Sequence, residues 1–129
     1  MVNKKTILIV DDEPYIRSLL EETLEEIGDK GVDIFIAENG EKGLELALAH
    51  KPNLIFLDVM MPKMNGYEMC EAVKIKNKME STYIIMLTAK GQEIDRKKGI
   101  DVGANEYITK PFDPDEIIVK ANKILGLES

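Results

Sequence analysis

Tryptophan is absent from this chain, and cysteine and histidine occur once each, as Cys70 and His50. A single cysteine cannot close an internal disulfide and fits a reducing compartment, so a cytoplasmic location is expected. His50 closes a polar helical stretch and reads as a helix-terminal or solvated histidine, not a metal ligand. No apolar run approaches the roughly 18 residues of a membrane span, and no membrane role is expected. Basic residues are the minority, with 17 Lys and Arg against 24 Asp and Glu and a net charge of −7. No dense basic stripe gathers anywhere, so direct nucleic-acid binding by this chain is not expected. Two lysines precede the first short apolar run, but Asp11-Asp12-Glu13 follows it where a signal peptide would place its cleavage site. That run is expected to be a strand.

What is present is ordinary for one globular domain: 129 residues, 44% hydrophobic and 32% charged. Four β-branched apolar runs stand out: residues 6–10 (TILIV), 54–57 (LIFL), 83–87 (YIIML) and 107–109 (YIT). Each is followed at once by a chemically active residue: Asp11-Asp12, Asp58, Thr88 and Lys110-Pro111. Continuous apolar runs separated by helical patterns read as buried parallel strands.

Five strand–helix pairs follow along the chain. Pro14 suits a first helical turn, and Ile16, Leu19, Leu20, Thr23, Leu24 and Ile27 mark the inward face of helix one, stopped by Gly28 and Gly31. Residues 32–37 (VDIFIA) form strand two, where Asp33 suggests an edge position. Helix two runs from about Gly40 to His50 with Leu44, Ala47 and Leu48 inward. Helix three buries Met69, Cys70 and Val73. Helix four, about residues 92–102, has only Ile94, Ile100 and Val102 as large apolar residues, with Gly91 and Gly99 lowering its propensity. Helix five starts at Asp113-Pro114 and turns Ile117, Ile118, Ala121, Ile124 and Leu125 inward. Regular alternation of this kind predicts an α/β fold, a doubly wound five-stranded parallel sheet with helices on both faces. The order 2-1-3-4-5 is favoured because it sends the polar second strand to an edge and joins strands one and three.

In such a sheet the carboxyl ends of the strands line the ligand crevice. Asp11, Asp12 and Asp58, the Thr88 hydroxyl and the Lys110 ammonium then share one pocket, a set suited to a divalent cation and a phosphoryl group. Three close carboxylates need cationic compensation, for which Mg²⁺ is the natural ion. Asp58, alone at the end of the central strand, is the candidate nucleophile.

The pattern IL-IVDDE, LIFLDVMMPKMNGYE, IIMLTAK and GANEYITKPFD resembles the receiver domain of two-component response regulators, the chemotaxis-regulator-like family. The resemblance covers roughly residues 5–125, and residues 1–129 are expected to form a single receiver (response regulatory) domain of flavodoxin-like fold. It implies the same strand order. It also implies that Asp58 is the phosphoacceptor, that Asp12 and Asp58 ligate Mg²⁺ directly with the Met60 carbonyl, and that Asp11 acts largely through water. Thr88 is implied as the switch hydroxyl, Lys110 as its charge partner and Tyr107 as the switch aromatic, with a cis peptide at Lys110-Pro111. Met60 and Lys90 occupy the family's two variable positions, and neither orients a water well for hydrolysis. Such a domain is a phosphoacceptor and not an enzyme in the ordinary sense, catalysing only its own phosphorylation and autodephosphorylation. Its implied partners are a sensor histidine kinase or phosphotransfer protein and a downstream output protein or attached output domain. The output surface would be helix four, strand five and helix five, which leaves open a phosphorylation-dependent homodimer beside hetero-partner binding.

Two other classes compete. A haloacid-dehalogenase-like phosphohydrolase also uses a strand-end Asp, Mg²⁺, Thr or Ser, and Lys, but its Asp-x-Asp motif differs from Asp11-Asp12-Glu13-Pro14 and the chain has no room for a cap domain. A flavodoxin-like electron carrier needs a phosphate-cradling first loop, which the acidic triplet would repel.

Overall fold

Strands form where the apolar runs predict them, because a strand buried on both faces needs apolar side chains at every position. In a computed structural model, which describes residues 4–89 and 94–127, the strands are β1 (Thr6–Val10), β2 (Asp33–Ala37), β3 (Leu54–Asp58), β4 (Tyr83–Ala89) and β5 (Glu106–Lys110). All neighbouring pairs are parallel, in the order β2-β1-β3-β4-β5. The polar β2 lies at an edge, as Asp33 suggests.

Side chains alternate across the sheet and build two cores. Ile7, Ile9, Leu54, Phe56, Ile85 and Leu87 face one way, against Leu20, Leu24, Ile117, Ala121 and Leu125. Leu8, Val10, Ile55, Leu57, Ile84 and Met86 face the other, against Ala47, Met69, Cys70, Val73 and Val102. Helix α1 (Pro14–Thr23) and α5 (Pro114–Leu125) therefore cover the first face, while α2 (Gly40–His50), α3 (Gly66–Glu71) and α4 (Arg96–Val102) cover the second.

Several helical details depart from the periodicity. Helix α1 breaks at Leu24 and continues as a separate turn, Glu25–Gly28. In α2 the buried residues are Gly40, against Met64, and Gly43 and Ala47 toward the sheet, with Leu44 packed beside the core, while Leu48 is 40% exposed. The small residues let the helix approach Val10 and Met69, and that choice of face leaves the larger Leu48 at the margin. Past α3 the chain winds as a π-helix over Ala72–Lys76. Helix α4 begins at Arg96, where the Asp95 side chain accepts the Lys98 N–H as an N-cap; the expected start near Gln92, with Gly91, lies outside the described residues. Of its few large apolar residues, Val102 is buried while Ile100 is 77% exposed. His50 is exposed at the end of α2 and stacks on Phe35, with ring centroids 3.9 Å apart.

Cys70 is a core residue, its thiol donating to the Val102 carbonyl at 3.3 Å. Burial pushes this thiol up to about 12, the nearby Lys74 charge opposing. The thiolate fraction at pH 8 should then fall about 1000-fold below that of a free thiol. A colorimetric disulfide reagent should label native protein only as fast as it unfolds, and urea-unfolded protein at once. Rapid labelling of the native form would show that the α3–sheet interface opens.

Candidate phosphoryl and metal site

The parallel register delivers the site. Val10 lies beside Leu57, and Leu57 beside Met86, so Asp11 and Asp58 emerge at adjacent strand ends. Asp58 pairs with Leu87, Thr88 with Thr109 and Ala89 with Lys110. Reading across β1, β3, β4 and β5, the polar residues step along the carboxyl edge of the sheet. Asp11, Asp58, Thr88 and Lys110 are all buried there, in a protein whose other buried residues are mostly apolar.

Lys110 is the centre of the charge network. Its Nζ lies 2.8 Å from Glu13 Oε1, 3.2 Å from Asp11 Oδ2 and 3.5 Å from Asp58 Oδ1. Burial works to lower its pKa, but the Glu13 hydrogen bond and the charges of Asp11 and Asp58 outweigh it, and the net shift is upward. Lys110 is thus a firm cation. Asp11 accepts the Glu13 N–H at 2.8 Å, and its backbone carbonyl accepts from Arg17 at 2.8 Å. Asp58 accepts the Met60 N–H at 3.3 Å.

The carboxylates are poorly compensated. Burial, and next the charge of Asp11, push the Asp58 carboxyl up to about 7, against the pull of Lys110. Asp11 is raised as well, burial again outweighing the Glu13 N–H and Lys110. Ligand oxygens of Asp11, Asp12, Glu13 and Asp58 all lie within 4.8 Å of one another. Four oxygen donors at that spacing, two of them buried and reluctant to ionise, match the needs of a hard divalent cation such as Mg²⁺.

The loop after β3 is built for close approach. Asn65 and Glu68 form a reciprocal capping box at the start of α3, each side chain accepting the other's N–H at 2.9 Å. Gly66 then presses on the end of β3: a Cβ there would overlap the Asp58 carbonyl and stand 2.9 Å from Val59 Cα. Both obstacles are backbone and cannot rotate away. Gly66→Ala should cost about 1–3 kcal/mol, read as a lower urea midpoint at unchanged slope. An unaltered midpoint would mean that the loop can back off from Asp58.

Every expected site residue except Lys90, which lies outside the described residues, has a defined place. Asp11, Asp12, Asp58 and Lys110 converge, and Thr88 lies on β4 one position past the Asp58–Leu87 pair. The Met60 side chain is 64% exposed two residues past Asp58, and the Lys110-Pro111 peptide is cis. Tyr107 sits on β5 below α4 with its hydroxyl buried, and burial followed by the neighbouring Tyr67 raises its pKa. Sequence reasoning passed over Glu13 and Arg17. Glu13 stood next to the acidic pair, so adjacency was its signal. Arg17 had none, since only the first turn of α1 brings it back to Asp11.

A model of the family described as the response regulator receiver domain matches residues 7–122. The alkaline phosphatase synthesis transcriptional regulatory protein PhoP of Bacillus subtilis is 44% identical over 124 residues, covering 96% of this chain and 49% of its own length. The chain spans about half the length of the curated relatives it matches. Among solved structures, the chemotaxis protein CheY4 of Vibrio cholerae superposes with a TM-score of 0.80 at 30% identity, over 95% of this chain and 99% of that one. A CheY-like response regulator receiver domain protein of Methanospirillum hungatei gives 0.78 at 31% identity, over 97% of each.

Proposed function

The chain belongs to the response regulator receiver domain family, and on that premise we propose that Asp58 accepts a phosphoryl group and switches the α4–β5–α5 face. The observation that carries this reading is the buried Asp58 carboxylate at the end of the central strand, 3.5 Å from Lys110 and within a cluster of three further carboxylates. An Asp58 oxygen attacks the phosphorus of a phosphohistidine or acyl phosphate donor. The new O–P bond forms as the bond to the donor's nitrogen or oxygen breaks, and the donor keeps that electron pair. Lys110 moves its contact from carboxylates toward the phosphoryl oxygens, and the Thr88 hydroxyl donates to one of them. Asp11, Asp12, Asp58 and the Met60 carbonyl would hold Mg²⁺, which supplies neutralisation of the charge on the transferring group.

This reading makes the protein a phosphoacceptor that catalyses its own phosphorylation and autodephosphorylation, acting in the cytoplasm. No helix among the described residues is long and apolar enough to cross a membrane. A histidine kinase or phosphotransfer protein would supply the phosphoryl group, and an attached or separate output partner would read the result. Drawing Thr88 toward the phosphoryl group frees space that Tyr107 can use, which couples a charge event to a packing choice. The output face carries a Lys97–Asp101 ion pair at 3.3 Å, a Glu106–Lys120 ion pair, and the Tyr83 hydroxyl donating to Glu106 at 2.8 Å. Such mixed charge suits either a second copy or a different partner. The phosphohydrolase alternative finds no support in the family match.

Incubation with acetyl phosphate tests the chemistry. One phosphoryl group should appear by intact mass when Mg²⁺ is present and none after chelation. Equal incorporation in chelator would overturn the metal-dependent mechanism.

A further inference from the structure

Tyr107 is the one described residue whose buried side-chain polar atom has no hydrogen-bond partner. Its ring lies under α4, where it packs with the core on that face of the sheet, and the Arg96 guanidinium stands 5.9 Å from the ring centre. The space it fills exists because α4 carries a glycine in its middle. A Cβ on Gly99 would overlap the Tyr107 hydroxyl and stand 2.9 Å from Cζ of the same ring. The three nearest atoms all belong to the Tyr107 side chain, so the ring is the party that gives way.

A second tyrosine ties this space to the start of the helix. The Tyr67 hydroxyl accepts the Asp95 N–H at 3.2 Å, and Asp95 in turn caps α4 through the Lys98 N–H at 2.9 Å. Lys98 lies 5.3 Å from the centre of the Tyr67 ring. Residues around the two tyrosines therefore decide both where Tyr107 rests and how α4 begins. Glycine in the middle of an exposed helix lowers its stability relative to alanine, so its presence here asks for a compensating role.

We infer that Gly99 is the positioning residue for Tyr107: its missing side chain admits the ring beneath α4, and any larger residue holds the ring outside. The inference rests on the proposed switch for its regulatory meaning, while the placement itself stands on geometry alone. The buried resting place comes with an uncompensated hydroxyl, which keeps it from being strongly preferred. The ring can then leave or enter as the space near Thr88 changes. Filling Gly99 removes one of the two options, and the helix loses its link to the site.

The test is Gly99→Ala in protein labelled with 3-fluorotyrosine, followed by fluorine NMR. The chain has four tyrosines, and Tyr15, 73% exposed, is an internal reference for a solvated ring. The Tyr107 signal, assigned through Tyr107→Phe, should move toward that of Tyr15 in Gly99→Ala. A melting-temperature cycle separates ring eviction from helix propensity. Gly99→Ala should raise Tm in a Tyr107→Ala background, and raise it less or lower it when Tyr107 is present. An unmoved Tyr107 signal, or an additive cycle, would overturn the inference.

Function supplies the third readout. Gly99→Ala should take up a phosphoryl group from acetyl phosphate as the wild type does, since the side chain nearest Gly99 is Tyr107, which is not placed to contact the transferring group. With the phosphate mimic beryllium fluoride, amide exchange across residues 94–102 should change in the wild type and stay unchanged in the variant. If the wild type itself fails to take up phosphate, the proposed function falls while the Tyr107 placement stands. If the wild type responds and Gly99→Ala responds equally, the positioning role is wrong.

Discussion

Asp58→Asn should abolish phosphoryl incorporation, leaving less than about one hundredth of the wild-type yield after acetyl phosphate treatment. An amide has no anionic oxygen to attack phosphorus, and no other carboxylate is placed to substitute for it. Asp11 is buried against Lys110 and holds the Glu13 N–H, so its oxygens are engaged. Asp12 and Glu13 are exposed on the loop. Only Asp58 combines burial, the Met60 N–H and proximity to Lys110. Intact mass, followed by peptide mapping after borohydride reduction of the acyl phosphate, reads both amount and position. Label persisting in Asp58→Asn would move the acceptor to another residue and sink the assignment.

The second large effect is on stability against pH in metal-free protein. Asp58 is raised by burial, and next by the charge of Asp11, from an ordinary 3.8 to about 7. The folded state therefore keeps a proton that the unfolded chain releases. Its stabilising contribution is fully present below pH 4 and is lost as pH rises through the window from about 4 to 7. Asp11 is shifted in the same direction and shares the same neighbourhood, so the two act together. Metal-free wild type should thus lose on the order of 2–3 kcal/mol across that window. This is opposite in sign to the usual salt-bridged carboxylate.

Two comparisons make the cause specific. Asp58→Asn cannot ionise and should lose much less across the same range, standing above wild type at pH 7.5 by about 1–2 kcal/mol. Millimolar Mg²⁺ should raise the wild-type Tm at pH 7.5, through binding to the folded state alone, and shift Asp12→Ala much less. Thermal melts at stepped pH, with chelator and with Mg²⁺, give both readings. A wild type that gains stability relative to Asp58→Asn from pH 4 to 7 would mean that Lys110 outweighs burial, reversing the electrostatic account. Equal Mg²⁺ shifts in wild type and Asp12→Ala would place the ion elsewhere.

Much of the site was legible because the fold turns sequence order into position. A parallel strand buried on both faces announces itself as an unbroken apolar run, and the residue that ends the run must emerge at one edge. Asp11 after β1, Asp58 at the end of β3, Thr88 in β4 and Lys110 at the end of β5 follow from that rule once the strands are found. The polar β2 at the edge, and hence the adjacency of β1 and β3, follows from Asp33 and from the pairing of two fully apolar strands.

Helix faces were less legible, because periodicity marks apolar residues and the contact is made by whichever residues let the helix come closest. In α2 those are Gly40, Gly43 and Ala47, and Leu48 is left outside. In α4 the inward positions are Gly99 and Val102, and Ile100 projects into solvent. A glycine carries no hydropathy signal, so its role is visible only when its neighbour is seen, as Tyr107 is beneath Gly99. Glu13 and Arg17 belong to the same class, for their distances to Lys110 and Asp11 depend on how the first turn of α1 sits on the sheet. The linear pattern of residues suffices for the strands, their order and the residues at their ends, because burial dictates side-chain type along a parallel sheet. Tertiary structure alone decided which small residues bring the helices close and how far each carboxylate is starved of compensation, because both depend on distances that no linear pattern encodes.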